Sequence, residues 1–129
     1  MPMPLEELVK ELTQIPPTEG KKRYFFLLDC LHKKRITVEE LEKLCYLWTL
    51  ELEDEFKPQP IPSKFEAVEK YEELKAKANS PIKQEMVEDY YIRHPEVSAY
   101  YETVRKIEQE NKVKKEWLEK AKQEVENAN

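Results

Sequence analysis

The sequence predicts an all-α protein, a helical bundle of about five helices with a long C-terminal helix. Three observations carry that prediction. Glycine occurs once, at Gly20, so there is almost no supply of the left-handed backbone positions that tight strand turns use. The nine prolines fall mostly in clusters between patterned stretches, where they act as helix stops. Within those stretches apolar residues recur every three or four positions, the period of one helix face.

Pro4 opens a first helix, Leu5 to about Ile15, with Leu5, Leu8, Val9, Leu12 and Ile15 on one side. Pro16-Pro17-Thr18-Glu19-Gly20 ends it and turns the chain. The densest apolar stretch follows, Tyr24 to Trp48, and it contains its own turn. Tyr24, Leu27, Leu28 and Leu31 form one stripe, which Phe25, Phe26 and Cys30 widen almost all the way round. A helix apolar on most faces belongs inside a bundle. A buried strand would favour Val, Ile and Thr, and Tyr24 to Leu31 has none. Thr37 then starts another helix, because Thr37-Val38-Glu39-Glu40 fits a capping box. Val38, Leu41, Cys45, Trp48 and Leu52 give that helix its buried face, broadened by Leu44 and Leu47. The short link from His32 to Ile36 makes the two helices neighbours.

Lys57-Pro58-Gln59-Pro60-Ile61-Pro62 favours an extended, polyproline-like connector. It reads either as a stiff loop or as a docking peptide for an aromatic groove. Ser63 is a candidate cap for a fourth helix through about Ala78, with Phe65, Val68, Tyr71 and Leu74 spaced by threes. Ser80 as N-cap with Pro81 in the first turn starts a fifth. It carries Ile82, Met86, Val87, Tyr90 and Tyr91 and ends at His94-Pro95. Pro95 begins the last helix, which runs to about Asn127 and spans roughly 48 Å at 1.5 Å per residue. Its first half has a solid apolar face, Val97, Tyr100, Tyr101, Val104 and Ile107. From Glu108 to Glu116 only Val113 is apolar. The chain therefore divides into a bundle over 1–110 and a C-terminal helical extension over 111–129.

Composition narrows the function classes. A net charge of −5 argues against wholesale binding to nucleic acid or anionic lipid. No apolar run approaches the roughly 20 residues of a membrane span, and the first ten residues have no signal-peptide core. These features predict a soluble, cytoplasmic protein with no membrane partner. There Cys30 and Cys45 would be core thiols and not a bridge. The charged fraction of 38%, rich in Glu and Lys, also fits a thermophilic source.

The strongest interaction signal is in the extension. Trp117, Leu118, Ala121 and Val125 form a second, weaker stripe, and such an arm pairs with a second copy or a protein partner. A homodimer follows from the first choice, and a solvated tail is the alternative. Basic residues gather at Lys21-Lys22-Arg23 and Lys33-Lys34-Arg35. Six of them against Asp29 leave residues 21–35 at +5, while seven acids against Lys43 leave 36–56 at −6. Either basic cluster can hold phosphates, so an accessory nucleic-acid-binding protein is the second reading. The segment LLDCLHKKRITVEELEKL resembles the first two helices of a winged-helix or helix-turn-helix domain. The chain departs from that pattern by continuing as acidic CYLWTLELEDEF where a basic recognition helix belongs.

Catalytic and cofactor motifs are sparse. Cys30 and His32 are two apart, on different helix faces, and His94 precedes a proline. Zinc and di-iron sites lack their usual ligand spacing, and no cofactor is expected. Glu69 and Glu72 before the Asn79-Ser80-Pro81 turn, with Glu85 and Glu88 after it, are the best candidate for Mg²⁺ chemistry. They are similar to the paired acidic motifs of the all-α MazG-type nucleotide pyrophosphohydrolases, although the order of acids differs. The favoured expectation is a non-enzymatic protein-interaction module: an adaptor, regulatory or structural subunit.

Overall fold

The computed structural model describes residues 4–129. It contains six helices and, among the described residues, no strand: α1 (Leu5–Thr13), α2 (Gly20–His32), α3 (Val38–Glu55), α4 (Glu66–Ala76), α5 (Pro81–Arg93) and α6 (Pro95–Ala128). None is long and apolar enough to cross a membrane.

Local chemistry sets most boundaries. Thr37 accepts from the Glu40 amide at 3.1 Å while the Glu40 carboxylate accepts from the Thr37 amide at 3.1 Å, a complete capping box at the start of α3. Ser80 accepts from the Lys83 amide at the start of α5, with Pro81 in the first turn. One expected cap is absent: α4 begins at Glu66, preceded by Phe65 with no side-chain cap bond. Ser63 lies in the extended connector that the three prolines impose, too far upstream to cap.

The chain forms two compact units, one made of residues 4–58 with Val113–Asn129, the other of Gln59–Lys112. This differs from a bundle over 1–110 with an appended tail, because the end of α6 packs into the first core. That core joins Leu8, Leu12, Leu27, Cys30, Ile36, Leu41, Leu44, Cys45, Trp48 and Leu52 to Val125 and Ala128.

In the first unit α2 is not apolar on all sides. Its buried face is Arg23, Leu27 and Cys30, spaced i, i+4 and i+7, while Phe25 is 64% exposed. The α2–α3 turn closes with Lys34 at φ 57°. The Lys34 amide donates to Leu31 O and the Arg35 amide to Cys30 O, the paired bonds of a Schellman ending in which glycine is the usual left-handed residue. The one glycine serves a different need. A Cβ on Gly20 would sit 2.8–2.9 Å from Cγ and Cβ of Glu124, so its bare backbone admits the last turns of α6 against the start of α2.

The second unit is built on α4, α5 and the first part of α6. Val68, Val97 and Tyr100 form its centre, with Ala67, Tyr71, Tyr90, Tyr101 and Val104 around them. The extended connector is pinned there. Asn111 accepts from the Gln59 amide at 2.8 Å and donates to its carbonyl at 2.9 Å, and Tyr100 Oη donates to Pro62 O at 2.9 Å.

Candidate interaction surfaces

The stripe expected to meet a partner is divided by the first core. Val125 is buried, and Leu118 and Ala121 pack against the chain's own apolar cluster. Helical phase explains the division: 118, 121 and 125 follow at three and four residues, whereas Trp117 lies at the edge of that stripe, about 40° from Ala121 but about 100° from Leu118. Trp117 is 55% exposed and meets Phe56 edge to face at 6.2 Å.

These two rings floor a groove of about 530 Å³, completed by Ala121 and by Thr18 to Lys22. Its wall is braced by two buried side chains. The guanidinium of Arg23, fully buried, donates through Nε and Nη2 to Ile15 O at 2.9 and 2.6 Å and pairs with Glu51 through Nη1. Trp48 Nε1 donates to Pro17 O at 2.9 Å. Two buried side chains thus tie down the proline-rich segment that leads into the groove. The rim carries both signs: Lys21, Lys22 and Lys120 beside Glu19 and Glu124.

The two basic clusters, either of which was expected to hold phosphates, are partly engaged within the chain. Arg23 is consumed by the core, a role its i, i+4, i+7 phase with Leu27 and Cys30 signalled and its basic neighbours masked. Lys22 pairs with Glu19 at 3.2 Å and Lys33 with Asp29 at 3.1 Å. Lys21 and Lys34 remain exposed and Arg35 is half-buried.

The acidic set of the second unit is likewise dispersed. Glu72 accepts from Lys64 at 2.7 Å and from Tyr101 Oη at 2.9 Å, and those two donors hold its carboxyl below the usual carboxylate range. Glu69, Glu85 and Glu88 are exposed. Among the described residues no three His, Cys, Asp or Glu side chains gather where they could hold a metal ion. His94 stacks on Tyr90 at 3.9 Å with Nδ1 2.8 Å from Tyr90 O. Cys30 and Cys45 are free and buried. Burial raises both thiols, Cys45 to about 11, so at neutral pH they are protonated, apolar side chains.

A second surface lies on α3 and was not singled out by periodicity. Leu41, Leu44, Cys45, Trp48 and Leu52 face the core. Val38 and Leu47, which the spacing assigned to that buried face, are exposed. Tyr46, Leu47 and Leu50 share the solvent pole of the helix, and a shallow groove beside them is lined by Leu5, Glu39, Glu42, Lys43, Tyr46 and Leu47. The signal was available, since 46 and 50 fall out of phase with 41, 45, 48 and 52.

Compared with protein-family models, curated proteins and solved structures, the chain matches no family model, no curated protein and no solved structure.

Proposed function

We propose that the chain is a non-enzymatic protein-interaction module of the cytoplasm that pairs with a second copy of itself across the Trp117 groove. The observation that carries this reading is the half-exposed Trp117 set against Phe56 on a braced wall. Trp is the residue type most enriched among energetic anchors of interfaces. A two-fold contact places the same patch on both partners, so it must be complementary to itself. A rim with lysines and glutamates side by side meets that condition, because each copy offers both signs. A groove of one sign would repel its own copy.

Acrylamide quenching across a concentration series tests the pairing. Trp48 is fully buried and contributes a constant, protected signal, so the quenchable fraction reports Trp117. That fraction should fall as concentration rises. A constant fraction from micromolar to millimolar protein would contradict pairing through this groove.

A further inference from the structure

The α3 surface differs in kind from the Trp117 groove, and from that difference we infer that it is a docking face for a cationic amphipathic helix supplied by another protein. The inference rests on the reading of the chain as an interaction module and names the chemistry of one partner.

Three large side chains stand together on the pole of α3 opposite its buried face: Tyr46 at 64% exposure, Leu47 and Leu50. A single exposed leucine is ordinary, but adjacent apolar groups at i, i+1 and i+4 form the ridge that a second helix packs against. Leu5 extends this ridge beside Tyr46 and Leu47. Tyr supplies a large, stiff contact with a polar tip suited to an interface.

The charges around the ridge have one dominant sign. By helical phase Glu39, Glu42, Glu53 and Asp54 surround it; α3 itself places one base there, Lys43, and Lys122 of α6 lies beside Glu42 and Tyr46. Of the four acids only Glu53 is in an ion pair among the described residues, with Lys122 at 2.9 Å. Helix stability explains Glu39, which lies in the first turn at the positive end of the helix dipole, but not the acids at the other end. The last turns of α3 carry Glu51, Glu53, Asp54 and Glu55 and its final turn holds no base, whereas the partial negative charge at a helix C-terminus disfavours anions. Glu51 is accounted for by Arg23 and Glu53 by Lys122. Asp54 is left on the ridge side, and Glu55 on the flank, as charges that oppose their own helix, a broken local rule of the kind that marks functional surface. An acidic rim about an apolar ridge complements lysines or arginines flanking an apolar stripe, and opposite potentials speed encounter and exclude acidic competitors. It does not complement another copy of the same face.

The test is fluorescence anisotropy with a synthetic helical peptide about five turns long, leucines on one face and lysines elsewhere, against the full chain. A matched leucine–glutamate peptide is the control. The lysine peptide should bind, weaken as salt rises, and lose at least tenfold in affinity on Glu42→Lys/Asp54→Lys. Leu50→Ala should cost about fivefold. All three positions are exposed, so an unchanged unfolding midpoint verifies the fold of each variant. No binding, equal binding of the glutamate peptide, or binding indifferent to these substitutions would overturn the inference. So would oligomers of the chain alone that Leu50→Ala dissolves, since the occupant would then be a second copy. Repeating the titration on Trp117→Glu separates the two readings. Binding to a chain that never pairs leaves this inference standing, and pairing without peptide binding removes it alone.

Discussion

The first unit excludes water with a cluster that is half leucine, closed by Trp48, Val125 and Ala128. The second buries two valines and a tyrosine at its centre, and more tyrosines surround them. Three of its tyrosine hydroxyls are fixed individually: Tyr90 to Ala67 O at 3.0 Å, Tyr100 to Pro62 O, and Tyr101 to Glu72. The first unit therefore depends on filled volume, where loss of a side chain leaves a cavity. The second depends on oriented polar contacts, where each is worth about 1 kcal/mol. Both surfaces proposed for binding lie on the first unit, which fits the need to hold an interface on well-packed elements.

The largest expected effect is on the first unit. Trp48→Ala should lower its stability by about 3–5 kcal/mol, from lost volume and from the Pro17 carbonyl left without its donor. Urea unfolding followed by circular dichroism measures it, and a loss below 1 kcal/mol would mean the core is not volume-limited. Arg23→Ala comes next, at about 3 kcal/mol, since it strands Glu51 and the Ile15 carbonyl. Arg23→Met should recover part of that loss, because an apolar chain of similar length refills the site.

For the second unit the expected effects are smaller and depend on pH. Tyr101→Phe should cost about 1 kcal/mol. Burial and then the Glu72 carboxylate raise the Tyr101 hydroxyl from 10.0 to about 12. A raised phenol stabilises the fold below pH 10, and that contribution is lost as pH climbs from 10 toward about 12. Glu72 has the opposite sense. Its carboxyl is depressed by Lys64 and Tyr101, so its contribution is present above the ordinary carboxylate value of 4.5 and disappears as pH falls through the lowered one. Denaturation midpoints against pH should show the alkaline decline in the native chain and a flatter profile in Tyr101→Phe. Identical profiles would remove Tyr101 from the account of this unit. The smallest effect is a gain: Lys34→Gly relieves the left-handed strain at φ 57° and should stabilise the first unit by up to about 1 kcal/mol, read from its thermal midpoint.

Features whose causes are local were legible in the sequence. The capping box at Thr37 and Glu40, the Ser80-Pro81 start and the Pro95 start need only a few neighbouring residues. What depended on tertiary contacts was not. Arg23 stands in a basic triplet that reads as surface, and its burial requires Ile15 O and Glu51 from other parts of the chain. The stripe Leu118, Ala121 and Val125 looks the same in sequence whether it meets a partner or its own core. Ser63 reads as a cap until the connector's extended path is known. Of the candidate site, Trp117 was legible by residue type and the α3 ridge by the phase of Tyr46 and Leu50, while Phe56 and the Thr18–Lys22 wall required the fold.

Light scattering on the full chain and on Trp117→Glu tests the central claim most directly. Trp117 is exposed, so a carboxylate there leaves the core intact while placing a charge in the groove. The native chain should approach twice its 15.5 kDa as concentration rises, and the variant should stay at 15.5 kDa throughout. A native chain that remains at 15.5 kDa, or a variant that pairs as well as the native chain, would contradict pairing through Trp117.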